Sequence, residues 1–309
     1  MKIGILGGGQ LARMLSLAGY PLGCEVTFLS PESKSSAAPL GRQIHADYDD
    51  EGALTRLATW ADVVTYEFEN IPAFAPRLLT QSAAVRPGVE ALALAQDRLL
   101  EKQLFAALEI PTVAYRRIDT ETELQQAAQI LDCPAILKTR CQGYDGKGQV
   151  VLRRKEELAP AWRRLGGQPA ILEKVVAFER ELSIIAVRGL HGDIVFYPVS
   201  ENIHRDGILR LATCRPNDPM QAQAEAYARK LLTRLDYVGV LTLELFQVGG
   251  RLLANEFAPR VHNSGHWTIE GAATSQFENH LRAITGLPLG ATTPNGVAAT
   301  INFVGRRRN

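Results

Sequence analysis

The chain has little of what marks secreted, membrane or nucleic-acid-binding proteins. Among 309 residues there are four cysteines, which are scattered and show no CxxC spacing: Cys24, Cys133, Cys141 and Cys214. Disulfides or a zinc site are therefore not expected, and the thiols suit a reducing, cytoplasmic compartment. No apolar run approaches the roughly 18 residues that a membrane span requires. Basic residues number 34 and acidic residues 33, so the net charge of +1 gives no general attraction to nucleic acid or acidic membranes.

The rest of the composition is that of an ordinary globular protein. Hydrophobic residues make up 46% of the chain and charged residues 22%, which argues against intrinsic disorder. At about 150 residues per domain, the length indicates two or three domains. The sequence begins with an apolar segment, Ile3-Gly4-Ile5-Leu6, after a single lysine, and no signal-peptide pattern follows it.

Short apolar runs alternate with helical patterns in the first third of the chain. Strands are expected at residues 2–6, 25–29 and 61–66, and a helix at 10–18. This alternation is typical of a parallel sheet with helical crossovers. The pattern then predicts one helix over residues 88–108. The elements expected after it are strands at 112–115, 135–139, 150–152 and 170–174, and helices at 120–131 and 155–165.

The last third has a different pattern. Residues 181–187 and 194–199 are expected to be neighbouring antiparallel strands. Residues 238–248 and 251–257 are expected to form a hairpin around Gly249-Gly250. Helices are expected at 222–235 and 275–285. The chain is therefore predicted to mix a parallel α/β part with antiparallel α+β parts.

A glycine-rich turn follows the first strand. The segment Gly7-Gly8-Gly9-Gln10-Leu11-Ala12 matches the pattern GxGxxA between a strand and a helix. Free amides at such a helix start attract anions, which would suit a dinucleotide if an acid held its ribose. Glu32, after the proline-containing end of the second strand, is a poor match for that acid. A tight structural turn, or a loop that touches another phosphorylated substrate, stays open as an alternative.

A second glycine-rich segment lies between two expected strands. Residues 142–149 carry three glycines, with Lys138 before the segment and Lys147 inside it. Such a loop can lie over a polyphosphate, with backbone amides as donors and lysines as counter-charges. The order of residues is not that of a Walker A loop. A flexible hairpin with incidental lysines is the alternative.

Two carboxylates interrupt the apolar strands of the expected C-terminal hairpin. Glu244 lies within Leu-Thr-Leu-Glu-Leu-Phe, and Glu256 lies next to Asn255 on the following strand. Buried carboxylates need a cation or strong donors, and two of them beside an amide suit Mg²⁺. A two-residue turn would pair Glu244 with Asn255, whereas a three-residue turn or an equivalent bulge would pair it with Glu256. The metal hypothesis predicts the second register; the alternative is strand acids satisfied by arginine or solvent.

A compact polar segment, Pro259 to His266, follows the hairpin. Arg260 could hold an oxyanion through two hydrogen bonds. His262 could position or deprotonate a substrate. A structural histidine is the alternative, and the adjacent pair of acids makes the two interpretations about equal.

These segments together resemble a known family. From Met1 to about Gly305, the chain is similar to ATP-grasp carboxylate–amine ligases, and most of all to those that carboxylate aminoimidazole ribonucleotide in purine synthesis. The segments that carry the resemblance are GILGGGQLARM, QDRLLEKQ, LKTRCQGYDGKGQ, LEKVVAFERELS, TLELF and NEFAPRVHNSGHWT. The resemblance implies an α/β, Rossmann-like preATP-grasp domain with a parallel sheet at 1–95. It also implies two α+β ATP-grasp subdomains that hold ATP between them, a small lid at 96–178 and a C-terminal domain at 179–309.

The resemblance also implies a reaction. Bicarbonate attacks the γ-phosphate of ATP and gives carboxyphosphate. This intermediate, or CO₂ released from it, carboxylates the amine of aminoimidazole ribonucleotide. The expected partners are therefore these small molecules and Mg²⁺, without nucleic acid or membrane, in a cytoplasmic homodimer.

Site residues follow from the same resemblance. ATP contacts are implied for Arg98, Lys138, Gly143, Tyr144, Asp145, Gly146, Lys147, Gly148, Gln149, Glu173, Lys174, Val175, Val176, Glu181, His204, Asn255 and Glu256. Mg²⁺ ligands are implied at Glu244 and Glu256, and catalytic roles at Arg260, His262 and Lys138. The ribonucleotide side is implied for Gly9, Gln10, Leu11, Glu67, Asp145 and Asn263. A substrate loop thus becomes the preferred interpretation of the N-terminal glycines.

The sequence departs from the family pattern after Val304. Family members usually continue with a tail whose basic residues hold the ribose phosphate of the substrate. Here the last residues are Arg306-Arg307-Arg308-Asn309, so a shortened chain is expected. The alternative is that these arginines partly replace the basic residues of the family's tail. Other functions left open are an ATP- and Mg²⁺-binding remnant, a relative acting on another small amine or formate, and a nicotinamide oxidoreductase.

Overall fold

Three β-sheets organise the chain in the computed structural model, which describes residues 1–72, 74–141, 143, 148–303 and 305. The expected mixture of a parallel N-terminal sheet and antiparallel sheets after it is confirmed. Within the described residues, no helix is long and apolar enough to cross a membrane. The arginines at 306–308 lie outside the described residues.

The first sheet is parallel, as the strand–helix alternation predicts. Its strand order is β3-β2-β1-β4-β5, with the bounds β1 (Lys2–Leu6), β2 (Glu25–Ser30), β3 (Arg42–His45), β4 (Val63–Tyr66) and β5 (Ala84–Val85). The helices of this part are α1 (Gln10–Gly19), α2 (Glu51–Trp60), α3 (Phe74–Leu79) and α4 (Val89–Ala95). Ile3 and Ile5 pack with Leu15 of α1, and Val64 packs with Leu57 of α2. Helices thus cover both faces of the sheet, which explains its nearly continuous apolar strands.

The second sheet is small and antiparallel. Its order is β6-β9-β7-β8, with the bounds β6 (Tyr115–Ile118), β7 (Ala135–Thr139), β8 (Gln149–Leu152) and β9 (Ala170–Lys174). Helices α6 (Glu121–Leu131) and α7 (Leu158–Arg164) bury Leu124 and Trp162 against it. The glycine-rich segment joins β7 to β8, so it begins and ends at one edge of this sheet.

The third sheet is antiparallel and carries the predicted hairpin. Its order is β15-β14-β10-β12-β13-β16, and β11 also pairs with β10. The bounds are β10 (Arg180–Arg188), β11 (Ile194–Phe196), β12 (Ser200–Arg205), β13 (Ile208–Cys214), β14 (Gly239–Val248), β15 (Arg251–Ala258) and β16 (Ala298–Ile301). Its helices are α8 (Gln221–Arg234), α9 (Thr268–Gly271) and α10 (Gln276–Thr285).

Helix α5 (Arg98–Ala107) precedes the small sheet in sequence but packs against the third sheet. Phe105 shares a buried cluster with Leu243 and Phe257, and the rings of Phe105 and Phe257 meet edge to face at 6.2 Å. This contact places the polar side of α5 directly over β15. The domain bounds expected at residues 95 and 178 stay predictions.

Two predicted elements are wrong. The single helix over 88–108 is two helices, α4 and α5, because the side chain of Asp97 accepts a hydrogen bond from the Leu99 amide (2.9 Å) and starts a new helix. The strand predicted at 112–115 lies instead at Tyr115–Ile118. The residues before it are used elsewhere, since the Pro111 carbonyl accepts a hydrogen bond from the Ala254 amide of β15 (2.7 Å).

Candidate active site

The C-terminal hairpin changes register at the two predicted carboxylates. Beside the two-residue Gly249-Gly250 turn, Leu245 pairs with Ala254, but beyond Glu244 the pair is Leu243 with Phe257. Two residues of β15 therefore stand opposite Glu244 alone, which is a β-bulge. The turn is the short one, and the bulge restores the register that the metal hypothesis requires, with Glu256 brought opposite Glu244.

The two carboxylates differ in their partners. Burial and the charge of Glu256 raise the pKa of Glu244. Burial opposes ionisation of Glu256 as well, but Arg98 holds its pKa below the ordinary value, with Nη1 2.8 Å from Oε2. Glu244 thus lacks a full counter-charge, a situation that a divalent cation would relieve.

This donor set fits Mg²⁺. Among the described residues, no group of three or more His, Cys, Asp or Glu side chains is arranged to hold a metal. A dedicated protein cage is therefore absent from this part of the chain. Mg²⁺ commonly binds one or two carboxylates and takes its other oxygens from phosphates and water. Glu244 and Glu256 would supply the protein's share.

His262 is tied to one of these carboxylates. Its Nε2 lies 3.2 Å from Oε1 of Glu244, and its Nδ1 accepts a hydrogen bond from the Ser264 amide (3.3 Å). Burial lowers the pKa of His262 to about 3, so the ring is neutral. With Nδ1 as acceptor, the single ring proton is on Nε2, the nitrogen that faces Glu244. The arrangement favours positioning over deprotonation, because the nitrogen that faces the site already carries a proton.

A buried cation–carboxylate cluster lies on the small-sheet side. Glu173 on β9 contacts Lys138 of β7 (2.5 Å) and Lys102 of α5 (3.1 Å). Burial favours the neutral acid, but Lys138 and Lys102 lower the pKa of Glu173 to about 2. The side chain of Glu173 therefore holds two lysines. The expected contact with adenine then falls to the backbone that follows Glu173.

That backbone segment is Lys174, Val175 and Val176. The Lys174 amide donates to the Ala114 carbonyl (2.9 Å), and the Val175 amide donates to the Pro134 carbonyl (3.2 Å). On the neighbouring third sheet, Glu181 of β10 and His204 of β12 form a short hydrogen-bonded pair. Glu181 and Glu244 lie close in register, since Ser183, two residues after Glu181, pairs with Glu244. Glu181 therefore lies on the strand beside Glu244, and His204 lies on the next strand of the sheet. Glu173 is linked through Lys102 to the Asn255 carbonyl next to Glu256.

The base of the glycine-rich segment is anchored to the start of α5. Arg140 pairs with Asp97, with Nε 3.0 Å from Oδ1, and the Arg98 amide donates to the Arg140 carbonyl (2.9 Å). Gly148 has φ +69°, and a Cβ there would lie 2.6 Å from the Thr139 hydroxyl, so this end of the segment requires glycine. Arg98 Nη2 lies 3.5 Å from the Gly143 carbonyl. Gln149 begins β8 opposite Lys138. The expected contacts at Tyr144, Asp145, Gly146 and Lys147 lie outside the described residues.

The N-terminal glycine turn is closed by a carboxylate. Glu67, directly after β4, accepts hydrogen bonds from the amides of Gly9 and Ala12, the latter at 2.8 Å. Gly7 has φ +111°, and a Cβ there would lie 2.4 Å from Glu67 Cγ. The amides that would bind a dinucleotide phosphate are thus used by Glu67, which disfavours the nicotinamide alternative.

The same turn lines a cleft of about 460 Å³ together with Arg260. Gly9, Gln10, Leu11 and Glu67 all line this cleft, and their contact with the ribonucleotide stays a prediction. Arg260 is held by Glu69 (Nη2 to Oε1, 2.8 Å), and its buried Nε has no hydrogen-bond partner within the described residues. A buried unpaired N–H donor suits an anionic or carbonyl oxygen in the cleft. Asn263 lies just beyond, in the short turn after His262.

Several site residues were not predicted. They are Asp97, Lys102 and Arg140 around α5, and Ser30, Tyr48, Phe68 and Glu69 around the cleft. Lys102 could have been found from the sequence, because Glu101 and Lys102 lie three and four residues after Arg98 and so share its face of the helix. The cleft residues carried none, since they converge only through the parallel sheet.

Comparisons with known proteins agree with this geometry. Residues 1–96 match the model of the ribonucleotide synthetase preATP-grasp domain, and residues 103–277 match that of the ATP-grasp domain. The N5-carboxyaminoimidazole ribonucleotide synthase of Pseudomonas aeruginosa is 52% identical over 99% of this chain and 85% of its own length. A crystal structure of N5-carboxyaminoimidazole ribonucleotide synthetase from Thermus thermophilus has a TM-score of 0.94 and 51% identity, over 99% of this chain and 84% of that one.

A third relative was crystallised with ligands. The N5-carboxyaminoimidazole synthase of Aspergillus clavatus, in complex with ADP and 5-aminoimidazole ribonucleotide, is 29% identical with a TM-score of 0.91, over 99% of this chain and 83% of that one.

Proposed function

The chain belongs to the ATP-grasp family, within its N5-carboxyaminoimidazole ribonucleotide synthases, and we propose that it carboxylates 5-aminoimidazole ribonucleotide with ATP and bicarbonate. The products are N5-carboxyaminoimidazole ribonucleotide, ADP and phosphate. The enzyme is an ATP-dependent carbon–nitrogen ligase of purine synthesis. A homodimer and a cytoplasmic location stay predictions.

One observation supports the proposal: Arg260 lies close in sequence to the paired carboxylates and also lines the N-terminal cleft. It lies four residues after Glu256 on the same chain segment, and it lines the cleft with Gly9 and Glu67. A γ-phosphate near the two carboxylates and an amine in the cleft would therefore meet at Arg260 and His262. This is the juxtaposition that a two-step carboxylation needs, because the activated intermediate has to reach the amine without leaving the site.

The first step is phosphoryl transfer to bicarbonate. A bicarbonate oxygen attacks the γ-phosphorus, the bond from that phosphorus to the β,γ-bridging oxygen breaks, and ADP leaves with the bond electrons. Such transfers depend on positioning and charge neutralisation rather than on a covalent role for the protein. Arg98 and Lys138 would supply positive charge along the phosphates. When bound, Mg²⁺ would be held by Glu244 and Glu256 and would neutralise phosphate oxygens.

The second step forms the carbon–nitrogen bond. The amine of the ribonucleotide attacks the carboxyl carbon of carboxyphosphate, or of CO₂ released from it, and phosphate takes the electrons of the broken C–O bond. The amine loses one proton in becoming the carbamate. We assign Arg260 to the carboxylate oxygens and the Nε2–H of His262 to an oxygen of the same group, as preorganised donors. Water has to be excluded at this stage, which suits the glycine-rich segment as a cover.

ADP release tests the proposal. The purified chain is given ATP, Mg²⁺ and bicarbonate, with and without aminoimidazole ribonucleotide. The proposal predicts that ADP release depends on both bicarbonate and the ribonucleotide. ADP release that neither compound stimulates, in a chain that still binds ADP, would contradict the carboxylation and leave only a nucleotide-binding protein.

A further inference from the structure

The β-bulge at Asn255 and Glu256 has its own support from helix α5. A bulge interrupts the hydrogen-bond ladder and leaves backbone groups that need other partners. Here the Asn255 carbonyl accepts a hydrogen bond from Lys102 Nζ (2.8 Å), and the Phe257 amide donates to Glu101 Oε1 (2.6 Å). Two consecutive side chains of one helix thus serve the backbone on both sides of Glu256.

These side chains are buried. Glu101 is 2% exposed and Lys102 is 1% exposed. Burying two ionisable groups lowers the stability of the fold unless each group is paired. The hydrogen bonds of Glu101 and Lys102 are therefore needed to offset the cost of burying them. The Glu101 carboxyl group accepts a hydrogen bond from the Phe257 amide. Lys102 Nζ donates to the Asn255 carbonyl and also lies 3.1 Å from Glu173 Oε1.

A third residue of the same helix acts on the carboxylate itself. Arg98 stands three and four positions before Glu101 and Lys102, on the same helix face, and contacts Glu256. The helix is fixed over the bulge by the Asp97 cap at its start and by the contact of Phe105 with Phe257. One rigid element therefore holds the bulged backbone and the side chain that the bulge presents.

We propose that Glu101 and Lys102 are positioning residues that hold the bulge, and through it the Glu256 carboxylate, in the register that binds the divalent cation. The inference deepens the proposed function and rests on it for the identity of the cation site. Without the bulge, a continuous ladder from the two-residue turn would pair Glu244 with Asn255 and send Glu256 to the opposite face of the sheet. Lys102 also ties the same bulge to Glu173, and so to the strand that leads into the adenine segment.

A matched pair of variants separates side-chain reach from the carboxyl group at position 101. Glu101→Gln keeps the side-chain length and an oxygen that can accept from the Phe257 amide, but replaces the carboxyl group by an amide. Glu101→Asp keeps the carboxyl group but is one methylene too short to make the same bond. Gln103→Ala, at an exposed position of the same helix, is the control for changes in α5 itself.

The readout is binding of Mn²⁺ in the presence of saturating ADP, followed by the electron paramagnetic resonance signal of free Mn²⁺. ADP affinity without metal is measured alongside. The proposal predicts that Glu101→Asp weakens Mn²⁺ binding by about tenfold, as expected for loss of one buried hydrogen bond. Glu101→Gln and Gln103→Ala should stay within about threefold of the wild type, and metal-free ADP affinity should be unchanged in all three.

Two results would overturn the inference: unaltered Mn²⁺ affinity in Glu101→Asp, or an equal loss in Glu101→Gln, which would show that the reach of the side chain is not what matters. If Glu101→Asp does not fold, Lys102→Met decides in the same titration, and full Mn²⁺ affinity there overturns the inference. A wild-type chain that binds ADP but no Mn²⁺ would instead contradict the proposed function. Failure of the positioning role of Glu101 and Lys102 and failure of the cation site therefore give different results.

Discussion

His262 Nε2 lies 3.2 Å from Oε1 of Glu244, so the histidine is in direct contact with one of the two paired carboxylates. The ring is held from behind by Ser264, whose hydroxyl lies 2.9 Å from Nδ1, and Ser264 in turn accepts from the Ser183 hydroxyl (2.8 Å). Ser183 and Ser264 are both buried. The chain of hydrogen bonds fixes the ring and its proton before any substrate arrives.

Replacement of His262 tests its role as a donor at the carboxylation step. His262→Ala is expected to lower kcat by about 10²- to 10³-fold, as when one preorganised donor to a developing oxyanion is removed. ADP affinity should stay within about threefold of the wild type, because His262 is assigned to the carboxyl group and not to the nucleotide. Steady-state kinetics and ADP titration check both, with the exposed His191→Ala as control. Equal losses in kcat and ADP affinity would place His262 on the nucleotide instead.

Replacing each of the two paired carboxylates by glutamine should change the free energy of unfolding in opposite directions. Without metal at pH 8, Glu244→Gln is expected to raise the free energy of unfolding by about 1 kcal/mol, because it removes a carboxyl group whose ionisation is opposed by burial and by the charge of Glu256. Glu256→Gln should lower it by about 1–3 kcal/mol, because Arg98 loses its charged acceptor. Both variants should lose Mg²⁺-dependent turnover. Urea unfolding in EDTA measures the stabilities, and a parallel loss in both variants would refute the assigned asymmetry.

Glu173 is expected to matter more for stability than the lysine it holds. Glu173→Gln leaves Lys138 and Lys102 buried without their shared counter-charge, which should cost about 3–5 kcal/mol. Lys138→Met leaves Glu173 paired with Lys102 and should cost less. Denaturant unfolding of both variants, beside the surface change Glu156→Gln, gives the order. A larger loss in Lys138→Met would contradict it.

His280 predicts a loss of stability in acid. It is fully buried between Thr65 of β4 and the Val240 amide of β14, and burial lowers its pKa to about 3. The unfolded chain takes up a proton near the ordinary histidine pKa of about 6.5, whereas the folded chain does not until about 3. Stability from this group is therefore complete above pH 6.5 and falls as the pH falls toward 3, by about 2 kcal/mol between pH 7 and pH 5.

The acid effect is isolated by comparing the wild type with His280→Gln. The free energy of unfolding of the wild type should fall more steeply between pH 7 and pH 5, by the amount that His280 contributes. Identical pH dependence in the two proteins would show that His280 is not held neutral.

Much of the architecture follows from local pattern. Alternating apolar runs and helical patterns were enough to predict the parallel sheet, and Gly249-Gly250 was enough to predict the hairpin turn, with φ of +57° and +71°. The break between α4 and α5 had a local signal that was missed, because Asp97 is a common N-cap residue and accepts from the Leu99 amide. The late start of strand β6 had no such signal, since it follows from the bond between Pro111 and β15, which is distant in sequence.

The candidate site shows the same division. The residues Glu244, Glu256, Arg260 and His262 were found because charges inside or beside apolar strands demand partners. The bulge that brings Glu244 and Glu256 together has no signal in the hairpin sequence itself, because its support comes from Glu101 and Lys102 on another element. The cleft was likewise out of reach, since Tyr48 and Phe68 meet Arg260 only in the folded chain.

The path of oxygen from bicarbonate to phosphate tests the central claim most directly. The enzyme is given ¹⁸O-labelled bicarbonate, ATP, Mg²⁺ and aminoimidazole ribonucleotide, and the reaction is completed before the bicarbonate label exchanges with water. The released phosphate is then examined by ³¹P nuclear magnetic resonance. If bicarbonate attacks the γ-phosphorus, the bridging oxygen stays with phosphate when the amine takes the carbon, so each phosphate should carry one labelled oxygen. Unlabelled phosphate, formed together with ADP, would mean that water attacks the nucleotide and would contradict the account.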